Sequence, residues 1–344
     1  MPVCAEATRM FREAAEAPAI VEAQLTRNAG DLARLAADLK SRRTRAIVTL
    51  ARGSSDHAAT YARYLIETRL GILTSSAAPS VASLYASRLH LRDTIVLAIS
   101  QSGKSPDLLA SVEAARKSDA YIVALVNDEA SPLAKLAHFS IPLRAGEERS
   151  VAATKSFIAS LTAVAQLVAE WSGERGLHTA LAELPAQLRR AWQLDWGAAV
   201  ARLRNAESLY VLGRGLGLGV AGEAALKLKE TCGLHAEAFS TAELRHGPLA
   251  IVSPGFPVLL FAQNDESQDG IPELVRELDA HGAEILTIGL RERVGPALPV
   301  IDAEPSMTPV LQIQSFYRMV NALSVARGYD PDHPTHLSKI TETM

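Results

Sequence analysis

Residues 94–109 read Thr94-Ile-Val-Leu-Ala-Ile-Ser-Gln-Ser-Gly-Lys-Ser-Pro-Asp-Leu-Leu, and this stretch decides the fold. Its first part, Ile95 to Ile99, is apolar and largely β-branched, which is typical of a buried parallel strand. A helix is predicted to begin after Ser105, because serine is a favourable N-cap and proline suits the first helical position. The stretch therefore predicts one strand–loop–helix unit of a parallel α/β sheet.

The loop between this strand and helix is rich in hydrogen-bond donors. It offers the hydroxyls of Ser100, Ser102 and Ser105, the amide of Gln101, and the free N–H groups of a helix start. An anion at such a place meets oriented donors and the positive end of the helix dipole, so the pattern favours a phosphate. The motif alone also fits an ordinary polar loop.

The rest of the chain alternates strands and helices in the same way. Residues 5–40 are predicted to be helical with a break at Asn28-Ala-Gly, and apolar strands are predicted near residues 46–50, 121–126 and 139–143. This alternation predicts a doubly wound α/β fold with a parallel sheet between two helical layers.

Composition excludes several classes of protein. The 344 residues carry 35 basic and 38 acidic side chains, which gives no sign of a nucleic acid partner. No apolar run approaches the roughly 20 residues of a membrane span, and the N-terminus does not resemble a signal peptide, so a cytoplasmic protein is expected. The two cysteines, Cys4 and Cys232, cannot form a disulfide framework.

A near-constant offset relates the two halves of the chain. The strand and turn Ser208-Leu-Tyr-Val-Leu-Gly-Arg-Gly echo Ala46-Ile-Val-Thr-Leu-Ala-Arg-Gly, so Arg214 follows Arg52 by 162 residues. Such self-similarity indicates a tandem duplication of one α/β module. The predicted division is an N-terminal helical segment (1–44), a first module (45–171), a helical linker (172–206), a second module (207–328) and a C-terminal tail (329–344).

The second module carries different chemistry from the first. Glu223, Lys227 and Glu230 are spaced to lie on one helical face, where Lys227 and Glu230 could face a single pocket. The same spacing also fits a salt-bridge ladder on the protein surface. His246 follows in a predicted loop that could present its imidazole.

These residues resemble the sugar isomerase (SIS) modules, in the tandem arrangement of the isomerase half of glucosamine-6-phosphate synthase. The resemblance spans roughly residues 45–344. It rests on six words in order: Ser100-Gln-Ser-Gly, Val151-Ala-Ala-Thr-Lys, Gly222-Glu-Ala-Ala-Leu-Lys-Leu-Lys-Glu, His235-Ala-Glu-Ala-Phe, Glu243-Leu-Arg-His-Gly-Pro and Leu337-Ser-Lys.

The resemblance implies a role for each matching residue. The implied sugar-phosphate site comprises Ser55, Ser100, Gln101, Ser102 and Ser105, with backbone contacts from Val151. Glu230 resembles the base that moves a proton between C1 and C2, and Lys227 lies beside it. His246 resembles a ring-opening residue that reaches a neighbouring subunit's site, and Lys339 resembles the tail lysine that closes over the carbonyl end of the sugar.

The resulting functional expectation is an enzyme of amino-sugar phosphates, a glucosamine-6-phosphate deaminase of the SIS type. Two alternatives are the isomerase unit of a synthase without its own glutaminase, since only about 45 residues precede the first module, and a non-catalytic sugar-phosphate sensor. We expect no metal or organic cofactor, a small-molecule sugar phosphate as the ligand, and a homodimer with shared active sites.

Overall fold

The structure, a computed structural model, describes residues 4–292 and 295–339. Within these residues the strands form two parallel five-stranded sheets flanked by helices, which confirms the predicted three-layer α/β fold. The strands of the first sheet are β1 (Ala46–Leu50), β2 (Thr74–Ser76), β3 (Thr94–Ser100), β4 (Tyr121–Val126) and β5 (Phe139–Pro142). Those of the second are β6 (Ser208–Gly213), β7 (His235–Ser240), β8 (Pro257–Phe261), β9 (Glu284–Ile288) and β10 (Ala297–Leu298).

Helices connect these strands. In chain order they are α1 (Arg9–Ala15), α2 (Ala17–Ser41), α3 (Ser54–Leu70), α4 (Ser80–Ser83), α5 (Pro106–Arg116), α6 (Pro132–Leu136), α7 (Lys155–Ser172), α8 (Arg175–Trp192), α9 (Gly197–Leu203), α10 (Gly217–Cys232), α11 (Ile271–Ala280) and α12 (Thr308–Ala326). None of the described helices is long and apolar enough to cross a membrane.

The two sheets share one topology. The first has the order β2-β1-β3-β4-β5 and the second, read in the same sense, β7-β6-β8-β9-β10. In each sheet the order in which the strands are added reverses between two neighbouring strands. These are β1 and β3 in the first sheet and β6 and β8 in the second. Doubly wound proteins bind ligands outside the carboxyl ends of such a strand pair.

The chain divides into two compact units. The first-sheet unit contains residues 19–148, 155–182 and 338–339, and the second-sheet unit contains residues 4–18, 149–154, 183–292 and 295–337. The domain boundaries given above stay a prediction, and residues 340–344 of the predicted tail lie outside the described residues.

Each sheet has its own apolar core. All seven residues of β3 are buried, and alternate ones pack with Leu108 and Val112 of α5. In the second sheet, Leu212 and Leu260 pack against Leu274 of α11. Burying one such aliphatic side chain contributes about 1.5–3 kcal/mol to the free energy of folding, so the buried strand residues stabilise both sheets.

The predicted break at Asn28 is wrong, because α2 runs unbroken from Ala17 to Ser41. The Asn28 side chain is buried, and both the nitrogen and the oxygen of its amide form hydrogen bonds. Its Nδ2 donates to the Pro142 carbonyl at 2.8 Å, and its Oδ1 accepts from Arg144 Nε at 2.7 Å. Because distant groups satisfy this amide, it does not compete with the helical hydrogen bonds.

Candidate functional site

The predicted phosphate loop lies at the carboxyl end of the central strand pair of the first sheet. Leu50 at the end of β1 pairs with Ala98 of β3, so the loops after these strands start side by side. One loop leads to Ser55 in the first turn of α3, and the other runs from Ser100 to Ser105. The structure therefore brings Ser55 and the Ser100–Ser105 loop to one edge of the sheet.

Internal hydrogen bonds shape the Ser100–Ser105 loop. Gly103 N donates to Ser100 Oγ at 3.0 Å, and Lys104 N donates to Ser102 Oγ at 3.4 Å. Gly103 has φ of +63°, and a Cβ there would lie 2.3 Å from Ser131 Oγ, so only glycine fits. Ser105 occupies the N-cap of α5, which confirms the predicted helix start, although its side chain makes no capping hydrogen bond.

Contacts with the end of β4 hold the same loop in place. The Gln101 carbonyl accepts hydrogen bonds from the backbone N–H groups of Asn127 and Asp128. Lys104 Nζ lies 2.9 Å from Asp128 Oδ2, and this hydrogen bond lowers the pKa of the Asp128 carboxyl. The loop thus presents its remaining donors from a fixed backbone.

Helix α10 of the second-sheet unit carries Glu223, Lys227 and Glu230. Lys227 is buried, with its side chain only 1% exposed, and its Nζ lies 3.6 Å from Glu223 Oε1. It also donates a short hydrogen bond to Glu230, whose side chain is 21% exposed. The surface salt-bridge ladder is therefore wrong, since Lys227 and Glu223 are both buried.

Close packing at the start of α10 brings the helix against the sheet. A Cβ on Gly217 would lie 1.9 Å from the Gln263 amide, which follows β8. Further along α10, the Tyr317 hydroxyl of α12 donates a hydrogen bond to Glu223 Oε1 at 2.9 Å. These contacts fix the depth of Lys227, while Glu230, one turn later, retains access to solvent.

His246 lies in a separate exposed turn. It ends a short 3₁₀ segment, Leu244–His246, that is anchored by the fully buried Leu244. Within the described residues its ring has no hydrogen-bond or ion-pair partner, so the structure does not bring it into contact with Glu230. A protruding imidazole agrees with the predicted role toward a neighbouring subunit, which stays a prediction.

Val151 lies in the segment 149–154, which belongs to the second-sheet unit. The buried carboxylate of Glu13 in α1 holds this segment, because it accepts hydrogen bonds from Arg149 N at 2.6 Å and Ser150 N at 3.1 Å. No sequence motif pointed to Glu13, since its partners lie more than 130 residues away.

Lys339 contacts a carboxylate that the sequence analysis missed. Its Nζ donates to Glu148 Oε2 at 3.3 Å, and the Glu148 side chain is fully buried. The same carboxylate accepts from Ser156 N at 3.2 Å and Ser156 Oγ at 2.6 Å in the first turn of α7. Glu148 therefore joins the Lys339 ammonium to the start of this helix within the first-sheet unit.

Comparisons with known proteins agree with this architecture. A family model described as "SIS domain" matches residues 40–170 and 202–292. The glutamine–fructose-6-phosphate aminotransferase [isomerizing] of Aeropyrum pernix is 35% identical over 315 residues, which cover 83% of this chain and 49% of the relative. The chain thus spans about half the length of the curated relatives it matches.

Two solved structures are similar over nearly the whole chain. A putative phosphosugar isomerase from Silicibacter pomeroyi has a TM-score of 0.91 and 45% identity, covering 94% of this chain and all of its own. The C-terminal domain of glucosamine-fructose-6-phosphate aminotransferase from Francisella tularensis has a TM-score of 0.86 and 25% identity, covering 95% of this chain and 98% of its own. The chain is a member of the SIS domain family, with two SIS regions in tandem.

Proposed function

We propose that this chain catalyses the isomerising step by which fructose 6-phosphate and an amino group become glucosamine 6-phosphate. The observation that carries the proposal is the Lys227–Glu230 pair, a buried ammonium bonded to a carboxylate that solvent still reaches. The names of the relatives support the substrate class, since they are aminotransferases of fructose 6-phosphate. They favour this synthetic reaction over the deamination that was predicted from the sequence.

In the proposed reaction the amino group first forms an imine at C2 of fructose 6-phosphate, with loss of water. Glu230 removes a proton from C1 and returns it to C2, while the proton of the C1 hydroxyl is transferred to the imine nitrogen, so the imine becomes an amine and C1 becomes an aldehyde. Lys227 holds the Glu230 side chain in place through their short hydrogen bond. Ser55 and the Ser100–Ser105 loop bind the far end of the sugar through its phosphate.

Deamination of glucosamine 6-phosphate is the same proton transfer in reverse, because a catalyst lowers one barrier for both directions. The direct test supplies the purified chain with fructose 6-phosphate and ammonium, or with glutamine, and measures glucosamine 6-phosphate. The parallel assay follows ammonia released from glucosamine 6-phosphate. Release without any synthesis would restore deamination as the function.

The residue assignment has its own test. Glu230→Gln keeps the size of the side chain but removes the base, so kcat is expected to fall about 10²–10⁴-fold while substrate still binds. Glu284→Gln is the matched control, because Glu284 is the exposed first residue of β9 and has no predicted role in the site. A Glu230→Gln enzyme with nearly normal kcat would refute the role of Glu230. A wild-type chain that binds the sugar phosphate without turnover in either direction would instead be a sensor.

The shared site belongs to the same proposal. If His246 opens the sugar ring in a partner's site, the enzyme is a homodimer, and mixing Glu230→Gln with His246→Ala subunits restores one intact site in each heterodimer. The expected recovery, after verified subunit exchange, is a substantial part of the activity. No recovery would place His246 and Glu230 in the site of a single chain.

A further inference from the structure

A buried carboxylate holds an arginine beside the predicted phosphate loop. Arg52 donates from Nε at 2.9 Å and from Nη2 at 2.7 Å to the same oxygen, Oδ2 of Asp107. The Asp107 side chain is 1% exposed, whereas that of Arg52 is 54% exposed. Among the residues that the structure describes, Asp107 engages only the Nε–Nη2 side of the guanidinium, so the Nη1 donors of Arg52 are left for another partner.

The position of the pair places this cation between two helix starts. Arg52 follows β1 and lies two residues before the start of α3, and Asp107 lies in the first turn of α5. Burial raises the pKa of the Asp56 carboxyl in the first turn of α3, and the charge of Arg52 acts in the opposite direction. The guanidinium is therefore close to the starts of both helices that follow the central strands.

A phosphate bound at this edge of the sheet would need a positive charge to balance its negative charge. The predicted phosphate ligands are hydroxyls, an amide and backbone N–H groups, all of them neutral. Lys104, the one cation within the Ser100–Ser105 loop, pairs with Asp128. A sugar phosphate is largely a dianion, and arginine suits phosphate oxygens because its planar guanidinium donates two parallel hydrogen bonds.

The second module supplies an internal comparison. Arg214 is the repeat counterpart of Arg52, yet within the described part of the chain its side chain donates only to the Asp269 carbonyl, at 3.4 Å from Nη1. The loop after β8, Gln263-Asn-Asp-Glu-Ser, is acidic and lacks the serine pattern of the first module. An arginine at this position therefore does not need a carboxylate partner for the module to fold. The carboxylate partner, Asp107, is found in the first module, which also carries the Ser100–Ser105 loop.

We propose that Arg52, oriented by Asp107, binds the phosphate group of the sugar phosphate and supplies the positive charge of that site. This inference rests on the proposed function, since it names a further ligand of the same substrate. Asp107 is a positioning residue that keeps the guanidinium at the loop before substrate arrives.

The test compares Arg52→Gln with Arg214→Gln. We expect Arg52→Gln to raise the KM for fructose 6-phosphate and the inhibition constant of inorganic phosphate roughly ten- to a hundredfold, with kcat nearly unchanged. Arg214→Gln should change neither constant. Arg52→Lys should recover part of the loss by restoring the charge, and thermal unfolding of each variant checks the fold.

Two outcomes would overturn the proposal. One is an Arg52→Gln enzyme with KM and phosphate inhibition within twofold of wild type, and the other is a fall in kcat alone, which would mark the pair as structural. Direct calorimetric binding of fructose 6-phosphate separates this failure from that of the proposed function. A wild-type chain that binds without turnover leaves only the function wrong, whereas one that does not bind refutes both.

Discussion

Removal of the buried ammonium of Lys227 should destabilise the second-sheet unit strongly. Lys227→Met keeps the length of the side chain but removes the charge 3.6 Å from Glu223, whose side chain is 0% exposed. Losing one partner of a buried ion pair costs about 3–5 kcal/mol, because the other charge stays desolvated. For a unit of this size each kcal/mol lowers Tm by about 2–4 °C, so a fall of roughly 6–20 °C is expected.

The assay is thermal and urea unfolding at pH 7, followed by circular dichroism. Lys229→Met is the matched control, since Lys229 lies two residues along α10 but is exposed, and it should change stability by less than about 0.5 kcal/mol. Adding Glu223→Gln to Lys227→Met removes the desolvated charge while the amide oxygen still accepts from Tyr317, so the double variant should regain most of the loss.

The reasoning fails if Lys227→Met costs less than about 1 kcal/mol, or if the double variant is no more stable than the single one. The first result would mean that the ammonium contributes little to folding. The second would mean that the loss comes from packing around the side chain.

Three further predictions concern other parts of the molecule. Ser100→Ala with Ser102→Ala should raise KM for the sugar phosphate by tenfold or more with the fold intact, since each hydrogen bond to a charged group contributes about 1.5–3 kcal/mol; an unchanged KM would exclude the serine loop. Glu148→Gln should lower stability, and a double-mutant cycle with Lys339→Met should show coupling that is absent if the two side chains act independently. Burial raises the pKa of the Cys232 thiol to about 12 from 9.0, so the folded chain holds this proton more tightly than the unfolded chain; stability should fall as pH rises from about 9 to 12, and Cys232→Ala should remove that part of the fall.

Strong local signals made most of the fold predictable from the sequence. Apolar runs such as Ile95 to Ile99 gave the central strands, and the repeat gave the shared topology. The edge strand β7 carried no such signal. Its residues, His235–Ser240, are mostly half-buried or exposed and include two alanines and a glutamate, so only its pairing with β6 defines it as a strand.

Some features of the candidate site could not be predicted from the sequence, because they depend on contacts between residues that are far apart along the chain. The spacing of Glu223, Lys227 and Glu230 gave a shared helical face, but the period of a helix does not show how deeply that face is buried. The partners that fix the depth come from elsewhere, such as Tyr317, 94 residues after Glu223. Glu148 was not predicted to belong to the site for the same reason, since 191 residues separate it from Lys339.

The two copies of the module have diverged in the kind of group they present. The first carries neutral donors and an arginine, Arg52, held by Asp107, which suit a group that is bound and released unchanged. The second carries the Lys227–Glu230 pair, which suits a group that changes its proton count during the reaction. If duplication separated binding from chemistry in this way, substitutions in the serine loop should act on KM and those at Glu230 on kcat. A serine-loop variant that lowered kcat as much as Glu230→Gln does would contradict this division, because the phosphate contacts would then stabilise the transition state and the ground state unequally.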